Sequence, residues 1–114
     1  MNLKINVEQS TNQRVVSLNG EVDVYTAPML REAIIPLTEE KDLHVIVDLS
    51  EVSYMDSTGL GVFIGALKSS HQHGSTLKLS GLTDKIERLF RITGLSEIIN
   101  IETKAEVNKS ERTL

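Results

Sequence analysis

The sequence predicts an α/β fold, a mixed and mostly parallel β-sheet begun by an N-terminal hairpin, with helices packed mainly on one side. Three observations carry this. The chain opens with period-two alternation of apolar residues, Leu3, Ile5 and Val7 against Lys4, Asn6 and Glu8. Leu43 to Leu49 is a nearly continuous apolar run rich in β-branched residues, the signature of a central strand with parallel neighbours and both faces covered. Segments with apolar residues at helical spacing separate the remaining strand-like runs.

In order, the alternating strand leads into a polar turn at Gln9–Gln13. Val16 and Leu18 then resume the alternation up to Gly20, which makes a hairpin. Glu21 to Tyr25 reads as a connection. Thr26 suits a helix cap, Pro28 is tolerated in the first turn, and Leu30, Ala33, Ile34 and Leu37 form an apolar stripe that ends near Pro36. After the central strand, Val52 to Ser57 leads into a second helix with Leu60, Phe63, Ile64 and Leu67 facing inward and Gly74 at its end. Thr76 to Leu79 is a short strand. Thr83 caps a third helix that carries Ile86, Leu89 and Phe90 and stops near Gly94, and Ile98, Ile99 and Ile101 supply a last strand. Residues 102–114 are charged and weakly patterned, which fits a loosely held helix or a frayed tail.

At 114 residues the chain is the length of one domain. It has no cysteine, which excludes disulfide scaffolds, thiolate metal sites and a cysteine nucleophile, and suits a reducing, cytoplasmic setting. No apolar run reaches the ~18 residues of a membrane span, and the N-terminus does not read as a signal peptide. The net charge of −4 argues against nucleic acid as the main ligand. The charge is uneven. Residues 1–57 hold four basic and ten acidic side chains, residues 58–114 eight and six, so the first half favours a protein partner with basic surface.

The stretch Tyr54-Met55-Asp56-Ser57-Thr58-Gly59-Leu60-Gly61-Val62-Phe63-Ile64-Gly65 follows the most apolar strand and opens a helix, where α/β sheets usually place their sites. Three catalytic or nucleotide-binding motifs fail on spacing. Gly59 and Gly61 begin a G-x-G-x-x-G, but Ile64 occupies the third position. No Gly-Lys pair exists for a phosphate-binding loop. Met55 replaces the first glycine of G-x-S-x-G. What remains is a hydroxyl at a helix N-terminus, readable either as a plain cap or as an exposed reactive group. The glycines add information, since each costs a helix up to about 1 kcal/mol against alanine. Close helix-on-sheet packing is the reading for Gly61 and Gly65, and approach of a partner beside Ser57 is the reading for Gly59.

Three segments, Gly20-Glu21-Val22-Asp23-Val24-Tyr25-Thr26-Ala27-Pro28, Val52 to Gly65, and Arg88-Leu89-Phe90-Arg91-Ile92-Thr93-Gly94-Leu95, resemble the anti-sigma factor antagonists of the STAS family, nearest the general-stress branch of bacterial anti-anti-sigma factors. The resemblance implies one STAS domain over residues 1–114 and a non-enzymatic switch without cofactor or metal. It implies that a partner, at once an anti-sigma factor and a serine-protein kinase, phosphorylates the motif serine, here Ser57. The unphosphorylated form would bind that partner and free the sigma factor, and a protein serine phosphatase would reverse the modification. The family's acidic loop residue corresponds to Asp23, and the implied contact set is Asp23, Asp56, Ser57, Thr58, Gly59 and Leu60. Neither direct nucleic-acid binding nor membrane attachment is implied.

A phosphate on Ser57 would add about −1.5 to −2 charges beside Asp56. The helix dipole and free amides would return about 0.3–1 kcal/mol, so the two effects are expected to offset and leave the fold nearly unchanged. Competing readings are a small enzyme using Ser57, and a ligand-sensing or scaffold STAS module. His71 and His73 form an H-x-H pair at a helix end without a third ligand nearby. Tyr25 and Tyr54 read as half-buried loop anchors, Phe63 and Phe90 as core, and Arg88 and Arg91 as complements to the end of the third helix.

Overall fold

Five strands hydrogen-bond in the order β1-β2-β3-β4-β5 in the computed structural model, which describes residues 2–102. β1 (Leu3–Ser10) and β2 (Gln13–Val22) form the antiparallel hairpin, with Ser10 opposite Gln13, so the polar turn narrows to Thr11 and Asn12. β2 pairs in parallel with β3 (His44–Met55), β3 with β4 (Thr76–Ser80), and β4 with β5 (Asn100–Glu102). Helices α1 (Ala27–Thr38), α2 (Ser57–His73) and α3 (Asp84–Ile92) make the three crossovers. Each crossover steps the same way across the sheet. Because such connections are right-handed, all three helices fall on one face.

That face carries the core. Val16 and Leu18 of β2, Val45, Val47 and Leu49 of β3 and Leu79 of β4 are fully enclosed beneath Leu30, Ile34, Phe63, Ile86 and Phe90. The rings of Phe63 and Phe90 lie 6.1 Å apart at 58°, a tilted pair that joins α2 to α3. β3 is central, with parallel neighbours on both sides, yet among the described residues only one of its faces is buried. Ile46 and Asp48, on the other face, are half-buried. The apolar run therefore overstated its cover.

Several boundaries shift from the sequence reading. Gly20 does not end β2. The strand continues to Val22 through a register irregularity at Gly20, whose φ of 129° suits glycine and whose Cα faces the Asn2 carbonyl too closely for any side chain. β3 runs six residues past Leu49 to Met55, so the Asp56–Gly59 motif leaves a strand directly. Ile98 and Ile99 precede β5, and a short 3₁₀ turn at Leu95–Glu97 takes up the chain before it. Pro36 lies inside the last turn of α1, which closes at Thr38. Gly74 (φ 75°) ends α2 in the left-handed region as expected. The expected helix or frayed tail after residue 102 lies outside the described residues.

Candidate functional site

The parallel pairing of β2 and β3 ends with Val22 opposite Met55, and the next amide, Asp56 N–H, donates to the Val22 carbonyl at 3.2 Å. Two turns therefore leave the sheet side by side, 23–26 from β2 and 56–58 from β3. Together they hold Asp23, Asp56, Ser57 and Thr58 of the expected contact set, and Gly59 and Leu60 follow in the first turn of α2.

Asp56 is extended (φ −111°, ψ −173°) and caps α2. Its Oδ1 accepts from Thr58 N–H at 2.9 Å and Gly59 N–H at 3.1 Å, while its carbonyl accepts from Leu60 N–H. Ser57, the first helical residue, is exposed, and Thr58 is half-buried. The cap is thus Asp56 and leaves Ser57 free of that task. Two of the amides that a phosphate on Ser57 was expected to use are already bonded to the Asp56 carboxylate.

Gly59 and Leu60 are buried. A Cβ on Gly59 would stand 2.6 Å from Val22 Cγ1, 2.9 Å from Met55 Cγ and 3.1 Å from the Val22 carbonyl oxygen. A Cβ on Gly61 or Gly65 would meet nothing within 4 Å. The sequence-level assignment of the glycines is reversed. Gly59 exists for close packing of α2 on the β2–β3 ladder, whereas Gly61 and Gly65 lie open.

Asp23 is a cap as well. Its Oδ1 accepts from Tyr25 N–H at 2.9 Å and Thr26 N–H at 3.0 Å, and Ala27 N–H bonds the Asp23 carbonyl, so helical turning begins at Asp23, before α1 proper. Thr26 makes no side-chain cap bond to α1. Its hydroxyl instead donates to the Glu21 carbonyl at 2.8 Å and accepts from Asp23 N–H at 3.0 Å. Burial pushes the Asp23 carboxyl up, but the bonds from the Thr26 and Tyr25 amides and the Thr26 hydroxyl, with a nearby positive charge, together hold it below its ordinary value. Asp23 is 9% exposed, so the side chain braces the turn and shows little of itself.

The tyrosines correct the sequence reading. Tyr25 is 76% exposed and Tyr54 43%, and neither is an anchor. Val24 and Met29, near Tyr25 in sequence, are exposed too. Alternation hid this, because an apolar residue in a connection carries no period. Phe63 and Phe90 are core. Arg91 pairs with Glu87 at 3.0 Å one turn back along α3. His71 and His73 are exposed, His73 Nδ1 lies 2.8 Å from the Ser69 carbonyl, and no group of three His, Cys, Asp or Glu among the described residues is placed to hold a metal ion. No helix among them is long and apolar enough to cross a membrane.

The profile of the STAS domain matches residues 4–109. The chain is 50% identical over 107 residues to the anti-sigma-B factor antagonist of Bacillus subtilis, covering 93% of this chain and 96% of that protein. It is 48% identical over 110 residues to the anti-sigma-B factor antagonist of Listeria monocytogenes, covering 95% and 96%. The crystal structure of an anti-sigma factor antagonist from Mycobacterium paratuberculosis matches the fold with a TM-score of 0.73 at 26% identity, over 97% of this chain and 95% of that one. With the serine-bearing helix start and the one-sided five-stranded sheet, these matches place the chain in the STAS domain family, in its anti-sigma factor antagonist group.

Proposed function

We propose that this protein is an anti-sigma factor antagonist that works as one STAS domain across residues 1–114, in the cytoplasm, and performs no catalysis itself. Its unphosphorylated form binds an anti-sigma factor that is also a serine-protein kinase and so releases the sigma factor. Phosphorylation of Ser57 breaks that complex, and a protein serine phosphatase restores it. The contact set is Asp23, Asp56, Ser57, Thr58, Gly59 and Leu60. Of these, Ser57 and Thr58 meet solvent, Asp56 holds the helix start, and Asp23, Gly59 and Leu60 set the shape beneath.

The observation that carries this reading is the exposed Ser57 hydroxyl on the first residue of a helix that Asp56 already caps. A hydroxyl not needed by the fold can be esterified without cost to it. Thr58 is the poorer acceptor, being half-buried. Added charge then acts at the interface. Burying a doubly charged group against a partner without a matching cation costs several kcal/mol, and about 2.7 kcal/mol already weakens binding a hundredfold.

Incubation with the anti-sigma-B factor of Bacillus subtilis and ATP, followed by mass mapping, tests the site. The label is expected on Ser57, and label outside residues 56–59 overturns the assignment. In a binding titration, Ser57→Ala is expected to bind in the presence of ATP as it does without it, and Ser57→Asp to bind at least tenfold more weakly. Equal affinities for the two variants would remove the electrostatic mechanism.

A further inference from the structure

β1 is the outer strand of the sheet, 8 residues long, and among the described residues no strand covers its far edge. Such edges are usually shortened, bulged or blocked by proline. β1 has none of these devices, and its register with β2 runs unbroken from Leu3–Gly20 to Ser10–Gln13. The ladder decides which residues face the edge. Glu21 N–H donates to the Asn2 carbonyl at 2.9 Å, so even-numbered residues bond inward to β2. By alternation Leu3, Ile5, Val7 and Gln9 turn their N–H and C=O groups outward.

The side chains of this edge complement one another about Asn6. Lys4, Asn6 and Glu8 lie on the helix-free face, in register with Asn19, Ser17 and Val15. Ile5 and Val7 lie on the core face, in register with Leu18 and Val16, and Val7 is 40% exposed. Neither Lys4 nor Glu8 has an ion-pair partner among the described residues. Glu21 and Glu51 stand behind Lys4 on β2 and β3, so at the edge itself Lys4 is the charge a newcomer meets. Arg14, in register with Gln9, is on the other face and holds the Ser10 and Gln13 carbonyls.

We propose that β1 docks a second copy of this chain, strand to strand and antiparallel, about a two-fold axis at Asn6. Lys4 then stands opposite Glu8 of the second copy, twice over, and Ile5 opposite its Val7. The backbone admits this register. Ile5 and Val7 exchange N–H···O bonds across the new ladder, while the Lys4–Glu8 and Asn6–Asn6 pairs fall on the rungs without such bonds, where side chains come closest. A shift by two residues either way pairs Asn6 with Lys4 or with Glu8 and loses both ion pairs. Eight residues a side fall short of the about 20–30 of a standard interface, so the dimer dissociates on dilution. The Ser57 turn lies at the Leu3 end of β1. Antiparallel docking therefore puts the two Ser57 turns at opposite ends of the joined sheet and leaves both open. The inference does not depend on the antagonist reading.

Sedimentation equilibrium of the full, unphosphorylated chain at low salt, from about 10 μM to about 1 mM, is expected to show mass rising from monomer to dimer. Lys4→Glu and Glu8→Lys are each expected to weaken dimerisation at least tenfold. The double variant Lys4→Glu/Glu8→Lys, which restores both pairs in reverse, is expected to return to within threefold of wild type. The single changes move net charge in opposite directions, so a general charge effect would weaken one and strengthen the other. Lys4 and Glu8 stand about 13 Å apart along the strand, and the melting temperatures of dilute samples should agree. The chain has no cysteine. Asn6→Cys, on the axis, is expected to form an intermolecular disulfide under mild oxidation, and Gln9→Cys, about 20 Å from its counterpart, is not. A monomer throughout the range overturns the proposal. So do single variants that dimerise as wild type, a double variant that does not recover, or Gln9→Cys cross-linking as readily as Asn6→Cys.

Discussion

Replacing Gly59 by alanine should destabilise the protein, while the same change at Gly61 or Gly65, in the same helix, should stabilise it. Helix propensity alone gives all three substitutions a gain of up to about 1 kcal/mol. At Gly59 the new methyl would stand 2.6 Å from Val22 Cγ1, where ordinary contact begins near 3.4 Å, so something must move by close to an ångström. Val22 cannot easily yield, being fully enclosed and bonded through its carbonyl to Asp56. Overpacking of this kind costs about 1–3 kcal/mol, so the net loss is up to about 2 kcal/mol after the propensity gain. At Gly61 and Gly65 nothing lies within 4 Å and the gain survives. Urea midpoints at unchanged slope should separate the three variants by sign, and melting temperatures should follow by roughly 4 °C per kcal/mol for a domain of this size. A double-mutant cycle of Gly59→Ala with Val22→Ala should show favourable coupling of about 0.5–3 kcal/mol. Gly59→Ala at or above wild-type stability, or either outer variant below it, refutes the packing argument.

Two further outcomes follow from buried polar groups. The lowered pKa of Asp23 stabilises the fold above 3.8, its unfolded value, and that contribution disappears as pH falls through the lower folded value. Asp23→Asn, which keeps an acceptor oxygen, should therefore narrow its stability difference from wild type as pH drops from about 5 to about 2.5, and a constant difference in acid denaturation curves would contradict the cap assignment. Thr38 is fully buried between α1 and α2, with its hydroxyl 2.7 Å from the Ile35 carbonyl and 2.8 Å from Ser69 Oγ. Thr38→Val should cost about 1–3 kcal/mol in chemical denaturation, and a neutral result would show that the Ser69 hydroxyl finds another partner.

The elements were legible where periodicity is strong. Leu3 and Ile5, Val45 to Leu49, and Phe63 with Leu67 gave a strand, a central strand and a helix because one buried face imposes a repeat. Legibility failed where a contact between distant segments decides the outcome. The role of Gly59 depends on Val22, which is remote in sequence, and no local pattern distinguishes it from Gly61. Asp23 and Thr26 exchange roles as cap and brace because Glu21 offers a carbonyl that only the β2 geometry brings near. The extension of β3 to Met55 is carried by pairing with Glu21 and Val22 across a register shift, which single-chain alternation does not reveal. Ser57 was singled out through its motif and lies exposed at the start of α2, whereas the exposure of Tyr25 and Tyr54 was missed because aromatic residues in a connection are ordinarily tucked in.

The Asp56 carboxylate already occupies the amides at the mouth of α2. On the proposed reading, a phosphoryl group attached to Ser57 would find the Thr58 and Gly59 amides already taken. On exposed Ser57 it would stand largely in water and gain little from its own helix that would resist its removal. A mark so weakly held suits repeated writing and erasing, with the duration of the signal left to the enzymes that visit it.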